Sequence, residues 1–182
     1  MRWHLLCLLT MTIAVSISEA ADWPGFRGPH GNGVCDEKSI PLKWGPSDNI
    51  AWKVKLPGPG ASSPVIWGDR VFVTSFTGKK AAEIVRHVQC FERGTGKERW
   101  HKQFPAPLPE NDHKAQLLQH GFATSTPVTD GQRLYVYFGR GGLHANDRCC
   151  GQHAFLSSRA RAAPGHPLSR RRVAGRYLPP DL

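Results

Sequence analysis

The chain has 182 residues, and 24 Lys and Arg against 14 Asp and Glu give it a net charge of +10. Five cysteines are too few for a fold built on disulfides, while the length suits one modest domain with its own core. The charge is uneven: residues 1–142 hold 17 Lys and Arg against 12 Asp and Glu, and residues 143–182 hold 7 Arg, no Lys and 2 Asp. Because two different compositions share the chain, the net charge does not indicate nucleic-acid binding, and no nucleic-acid partner is predicted.

Residues 1–20 have the layout of a secretory signal peptide. Arg2 and His4 precede an apolar run from Leu5 to Ile17, and the small residues Ser18 and Ala20 frame a cleavage site. The run is shorter than the roughly twenty residues that span a bilayer. The sequence therefore predicts export to the periplasm, the cell envelope or the medium, with no membrane span after cleavage. An uncleaved anchor is the alternative.

Two segments, residues 62–73 and 125–136, align without gaps at a spacing of 63. Each has a Ser/Thr lead, a proline (Pro64, Pro127), a glycine turn (Gly68, Gly131) and an arginine before a β-rich stretch. Glycine in such dipeptides reaches positive φ without a Cβ clash, and proline is tolerated at the entry to a strand. The pattern predicts two copies of an antiparallel strand pair.

A second correspondence, at a spacing of 48, joins residues 52–57 with residues 100–105. Both are strand-like, with a tryptophan near the start (Trp52, Trp100) and a proline at the end. The turn around Thr95 and Gly96 precedes the second copy. The sequence predicts strands at about 64–67, 70–76, 84–92 and 97–104. A four-stranded antiparallel meander repeated along a chain is typical of a β-propeller blade.

These motifs, with the opening segment 22–29 (DWPGFRGP), resemble exported bacterial β-propellers of the pyrroloquinoline-quinone-like (PQQ-like) repeat class over residues 21–142. The resemblance implies an all-β fold, a propeller fragment of about one and a half four-stranded blades. It implies that Trp52 closes a preceding incomplete blade and that the tryptophans pack over the glycine-rich turns of neighbouring blades. Leu56, Phe72, Phe104 and Tyr135 are expected in the core between blades. The expected structural repeat residues are Trp52, Pro64, Gly68, Thr95, Gly96, Trp100, Pro127 and Gly131.

The strand pattern is expected to stop after Gly142. Residues 143–182 are rich in Arg, Ala, Pro and Gly, and contain no tryptophan with which to close a blade. This composition indicates either a reading-frame change near residues 143–148 or a disordered basic tail.

The function favoured by the sequence is that of a non-catalytic scaffold or binding protein, whose partner is an unknown protein or the remaining blades of the propeller. The alternative is a fragment of a quinone-dependent alcohol or sugar dehydrogenase. That chemistry needs an acidic base and usually a Ca²⁺ held by carboxylates, and no such cluster of carboxylates is evident. The resemblance leaves PQQ open as a cofactor, but no residue here supports it.

Three pairs of histidines or cysteines could have a chemical role, but each also has a simpler explanation. His113 and His120 could share a helix face and bind metal, but no third ligand is evident, so a surface helix is expected. Adjacent cysteines form a disulfide beside the cofactor in some quinone dehydrogenases, but Cys149 and Cys150 follow the point at which the repeat fails. Cys35 and Cys90 could form a disulfide, or Cys90 could be a small buried residue of a strand. No catalytic residue and no metal ligand is predicted.

Overall fold

A computed structural model describes residues 21–38, 40–106 and 121–157, which form an all-β structure of eight strands. The first sheet consists of β1 (Val65–Trp67), β2 (Arg70–Thr77), β3 (Val85–Glu92) and β4 (Glu98–Pro105). The second consists of β5 (Val128–Thr129), β6 (Arg133–Tyr137), β7 (Leu143–Asp147) and β8 (His153–Ser157). Short 3₁₀ turns lie at Ala81–Glu83 and Gly139–Gly141. The predicted signal peptide and the segment holding His113 and His120 lie outside the described residues.

Both sheets are antiparallel meanders, in which each strand pairs with the next one along the chain. The four strands predicted for the first sheet are confirmed, each boundary to within about one residue of the prediction. The turns explain this agreement, because Gly68, at φ 54°, and Gly96, at φ 71°, both adopt the left-handed conformation that reverses the chain.

The main apolar core lies between the two sheets. Register fixes which side chains enter it, since Cα partners in a sheet share a face: Cys90 pairs with Trp100, and Arg86 pairs with Phe104. The Phe104 ring lies 5.5 Å from the ring of Phe138 on the second sheet. The buried cluster comprises Val65, Phe72, Val88, Cys90, Trp100, Phe104, Leu134, Val136 and Phe138.

Of the four residues expected in this core, two are confirmed and one is wrong. Phe72 and Phe104 belong to the cluster, and Leu56 is half-buried. Tyr135 is not in the core, because strand alternation places Leu134 and Val136 on the inner face and Tyr135 on the other. Its hydroxyl donates to Oδ2 of Asp130 at 2.8 Å.

The opening segment links the innermost strands of both sheets. Trp23 N donates to Ile66 O at 2.8 Å and Trp23 O accepts from Ile66 N at 2.9 Å, which adds a bridge to the edge of β1. One residue later, Pro24 O accepts from Thr129 N on β5 at 2.9 Å. Residues 23 and 24 therefore hold the two sheets together at their inner edges.

The second sheet does not end at residue 142, so the expectation of one and a half blades is corrected to two four-stranded sheets. Leu143–Asp147 pairs with β6 over five residues, and His153–Ser157 pairs with β7. Sheet pairing uses the backbone, which every non-proline residue supplies, so the strands form without a closing tryptophan. Residues 158–182 lie outside the described part of the chain.

The strand predicted at residues 52–57 is not formed as a strand of either sheet. The segment contacts the first sheet through Trp52, but its backbone pairs with no strand among the described residues. A backbone contact just beyond it, from Phe76 N to Pro59 O at 2.9 Å, holds the following residues to β2.

Candidate functional site

A feature that occurs twice in the molecule is a tryptophan ring packed against a glycine in a turn, and the first example is Trp52. A Cβ added to Gly96 would lie 2.6 Å from Cδ2 of the Trp52 indole, so only glycine allows the ring to approach this closely. The indole Nε1 donates to Arg93 O in the same turn at 2.7 Å. The ring also lies 6.4 Å from that of Phe91, a residue buried in β3. The segment around Trp52 is thus anchored to the first sheet by apolar contact and one directional hydrogen bond.

The same arrangement recurs between the two sheets. Trp100 on β4 packs against Gly151, where an added Cβ would lie 2.9 Å from the indole Cδ2. Its Nε1 donates to Arg148 O at 3.2 Å. The expectation that Trp52 and Trp100 pack over neighbouring glycine turns is confirmed, and we call these two arrangements the tryptophan junctions.

The two turns that receive the tryptophans have matching backbone hydrogen bonds. Gly96 N donates to Glu92 O at 2.8 Å, and Gly151 N donates to Asp147 O at 2.9 Å. Glu92 N and Asp147 N in turn donate to the carbonyls of Lys97 and Gln152, at 2.8 and 2.7 Å. Residues 147–152 therefore form the counterpart of the turn at 92–97, although the sequence analysis found no turn there.

Acidic side chains at the start of each turn hold it in shape. Glu92 accepts from Thr95 Oγ1 at 2.8 Å and forms an ion pair with Arg99, and these contacts lower the pKa of the Glu92 carboxyl. Asp147 Oδ1 accepts from the backbone N–H of Cys149 at 2.8 Å, which is the main cause of its lowered pKa. Thr95, a predicted repeat residue, therefore has a structural role in the turn.

The remaining repeat residues lie at the β1–β2 and β5–β6 strand pairs, with each proline just before the first strand of its pair and each glycine in the turn between the two strands. Gly131 packs against Trp67, with an added Cβ only 2.6 Å from the indole Cζ2, and Gly68 N donates to Asp22 Oδ1 at 2.6 Å. Pro127 is fully buried. The segments that carry Pro64 and Pro127 meet where Ser63 N donates to Thr126 Oγ1 at 3.0 Å. The structure thus brings the repeat residues together at sheet contacts rather than in one cleft.

Two pairs of histidines, which the sequence analysis missed, are brought together by strand pairing. His87 Nδ1 and His101 Nε2 lie 2.9 Å apart, and Thr77 Oγ1 lies 2.9 Å from the other ring nitrogen of His87. On the second sheet, His144 Nδ1 and His153 Nε2 lie 2.8 Å apart. Burial is the main cause of the lowered pKa of His87, His144 and His153, so these imidazoles favour the neutral form. The residues of each pair are too far apart in sequence for spacing alone to have revealed them.

The described residues do not suit PQQ chemistry. Within residues 21–38, 40–106 and 121–157, no three His, Cys, Asp or Glu side chains gather in a way that could hold a metal ion. Glu92, Asp130 and Asp147 are engaged in turns, and the Glu98 carboxylate accepts from Gln89 Nε2.

The cysteines of the described segments are free thiols. Cys149 and Cys150 are exposed in the second turn, Cys35 is exposed, and Cys90 is buried in β3. The interpretation of Cys90 as a buried strand residue is confirmed, and the Cys35–Cys90 disulfide is not formed. Burial raises the pKa of the Cys90 thiol to about 12.

Comparison with models of known protein families and with curated proteins finds no match to this chain. Among the described residues, no helix is long and apolar enough to cross a membrane.

Proposed function

We propose that this chain is a non-catalytic β-propeller scaffold of the PQQ-like repeat class, which acts outside the cytoplasm by binding another β-sheet. The observation that carries the proposal is the recurrence of the tryptophan junction. Trp100 belongs to β4, which is hydrogen-bonded to β3 in the first sheet. Trp52 makes the same junction from a segment that pairs with no strand among the described residues. Residues 51–56 therefore resemble the outer strand of a sheet whose other strands come from elsewhere.

The pattern of exposure supports this interpretation. In residues 51–56 the side chains of Trp52 and Leu56 are half-buried against the first sheet, while Val54 is 39% exposed. An extended segment with free backbone groups pairs readily with the edge of a sheet, and the alternating side chains then give specificity. The partner is accordingly an antiparallel sheet with an open outer edge, provided by a further blade of the same propeller or by another protein.

Hydrogen exchange tests the central premise. In the isolated chain the backbone amides of residues 53–56 should exchange rapidly, while those of β3 are protected. Equal protection of both segments in the isolated chain would show that the edge is already paired and would overturn the proposal.

A photo-cross-linking experiment tests the binding role. A benzophenone side chain at position 54 should cross-link to a strand of a β-sheet partner in the cell envelope. The same group at Tyr137, which is 54% exposed on the second sheet, serves as the control and should not. Equal labelling from both positions would contradict a specific edge.

The dehydrogenase alternative is tested separately. Saturable quenching of tryptophan fluorescence by PQQ with Ca²⁺, together with dye reduction in the presence of alcohols, would favour the enzyme over the scaffold. Export is tested by fusing residues 1–20 to a reporter enzyme that is active only outside the cytoplasm.

A further inference from the structure

A segment without regular secondary structure crosses one face of the first sheet. At one end, Trp52 lies on the β3–β4 turn, with its ring 6.4 Å from that of Phe91. At the other end, Phe76 N donates to Pro59 O at 2.9 Å. Phe91 lies at the end of β3 next to that turn, whereas Phe76 lies near the opposite end of the sheet on β2. Residues 52–59, which we call the covering segment, therefore cross the face diagonally between these two contacts.

Buried polar side chains lie on the same face of the sheet. Cα partners in antiparallel strands share a face, as do residues two apart along one strand. Ser75 pairs with His87, and Gln89 pairs with His101, so these four residues lie on the face that carries Phe91. Ser75, His87 and Gln89 are 1%, 4% and 4% exposed. Because the covering segment crosses this face, we infer that it shields these polar groups from solvent.

The two imidazoles form a hydrogen-bonded pair beneath the covering segment. His87 Nδ1 and His101 Nε2 lie 2.9 Å apart, and Thr77 Oγ1 lies 2.9 Å from His87 Nε2. One hydrogen between the two ring nitrogens is enough for this bond. If both rings take up a proton, every ring nitrogen is a donor, so two N–H groups face each other. Protonation therefore turns an attractive contact into a repulsive one.

The charged residues around the pair offer it little compensation for a positive charge. Glu98 lies on the same face by register, but its Oε2 already accepts from Gln89 Nε2 at 2.6 Å. Lys53 and Lys55 of the covering segment are exposed and add positive charge. Arg99 forms an ion pair with Glu92. Register places the following charged residues of β2, β3 and β4 on the opposite face: Arg70, Arg86, Glu92 and Lys102.

The covered arrangement also leaves polar atoms unused. Ser75 Oγ and Gln89 Oε1 are buried and have no hydrogen-bond partner among the described residues. A buried polar atom without a partner costs stability, and water can satisfy both oxygens once the covering segment is released. The covered state is therefore opposed even when both imidazoles are neutral, so a small additional cost shifts the balance toward release.

We propose that the His87–His101 pair is a pH-sensitive switch, which keeps the covering segment on the first sheet while both rings are neutral and releases it when they take up protons. On release, Trp52 leaves its glycine turn. This regulation rests on the function proposed above, because residues 51–56 are the edge that is proposed to bind another sheet. The partner sheet is accordingly held against the first sheet at neutral pH and released from it at acidic pH.

The direction of the pH dependence follows from the burial of His87. Burial is the main cause of its lowered pKa, and repulsion from His101 adds to it. An uncovered imidazole titrates near its ordinary value of 6.5, so the released state binds more protons than the covered one. The covered state is therefore fully favoured above that pH and loses its advantage as the pH falls below it.

The test follows Trp52 by fluorine NMR in the full chain labelled with 5-fluorotryptophan, with the resonance assigned through Trp52→Phe. We expect the released fraction to rise severalfold from about pH 7.5 to about pH 5.5, within the limit of about tenfold per pH unit for each proton taken up. His30→Gln is the matched control, because His30 is exposed in the opening segment, and it should leave this response unchanged.

Two variants of the pair give opposite results. His87→Gln should abolish the response. His101→Gln removes one cause of the lowered pKa of His87, so release should move to higher pH. Circular dichroism at neutral pH checks the folding of each variant, and His101→Gln decides the question if His87→Gln does not fold.

The ring of Trp67, which packs against Gly131, reports on the rest of the fold, and its resonance should not move. If Trp67 moves together with Trp52, the chain unfolds as a whole and the switch is refuted. An unchanged pH response in both variants of the pair would also overturn it. Because no partner is present, failure of the switch leaves the cross-linking test at position 54 unaffected, and the two proposals can fail separately.

Discussion

The tryptophan junction at Gly96 can be tested by adding a single methyl group. In Gly96→Ala the new Cβ would lie 2.6 Å from the Trp52 indole, in a residue whose φ is +71°. The left-handed backbone costs an L-residue about 1–2 kcal/mol, and overpacking costs about 1–3 kcal/mol. Because both penalties apply at this position, we expect the free energy of unfolding to fall by about 2–5 kcal/mol.

Two matched substitutions separate these causes. Gly139 has φ +56° and nothing within 4 Å of an added Cβ, so Gly139→Ala should show the backbone penalty alone. Gly94 also has nothing within 4 Å and no left-handed φ, so Gly94→Ala should change stability by less than about 0.5 kcal/mol. Urea unfolding followed by tryptophan fluorescence gives the midpoint and the slope for each variant.

The double variant with Trp52→Ala identifies the clashing group. Without the indole, Gly96→Ala should cost only the backbone penalty, so the two substitutions should couple by about 1–3 kcal/mol. If Gly96→Ala costs the same with and without the indole, the ring does not lie on the turn and the reasoning is refuted.

Three further predictions concern buried side chains. Asn146 is 0% exposed, and neither atom of its amide has a hydrogen-bond partner among the described residues. Asn146→Leu should therefore raise the free energy of unfolding by about 1–3 kcal/mol in urea unfolding. Because burial lowers the pKa of His144 in the folded protein, His144 is protonated in the unfolded chain before it is protonated in the folded one as the pH falls below 6.5. The melting temperature should therefore fall from that pH downward, and less steeply in His144→Gln. With a thiol pKa of about 12, Cys90 should resist iodoacetamide at pH 8 while exposed Cys149 reacts, and mass spectrometry of the labelled peptides would show any exception.

Local sequence signals explain why the first sheet could be predicted so closely. Its strands alternate, its turns contain glycine, and β1 to β4 follow one another along the chain, so each strand finds its partner nearby. Residues 52–57 show the same alternation, yet form no strand, because a ladder needs a second segment and periodicity alone does not provide one. The tryptophan junctions were expected from the family resemblance, and the geometry confirms them.

The parts that could not be predicted depend on pairing between distant residues. His87 and His101 are fourteen positions apart and meet only because the β3–β4 register brings them together diagonally. The second turn is a different case. Asp147 and Gly151 have the same four-residue spacing as Glu92 and Gly96, so the pattern was present in the sequence and was missed because no tryptophan follows it.

Comparison of the two sheets locates the residue at which the repeat fails. Ala145 pairs with Ala154 as Cys90 pairs with Trp100, so an exposed alanine replaces the closing tryptophan. The next position along β7 corresponds to buried Phe91, but here it is Asn146, whose buried amide has no hydrogen-bond partner in the described part of the chain. The first misfit side chain and the change to an arginine-rich, lysine-free composition therefore fall within a few residues of each other.

This coincidence agrees with the predicted reading-frame change near residues 143–148, whereas the turn at 147–152, which matches the turn at 92–97, argues against it. The frame change therefore stays a prediction. The gene should be resequenced across codons 135–160 and translated in all three frames. If another frame supplies an apolar residue at position 146 and a tryptophan near position 154, the sequence after residue 145 is not that of the repeat protein. If the present frame is confirmed and no other continues the pattern, the prediction is wrong. The buried amide of Asn146 is then a genuine feature of a sheet whose outer strand has no tryptophan to form a further junction.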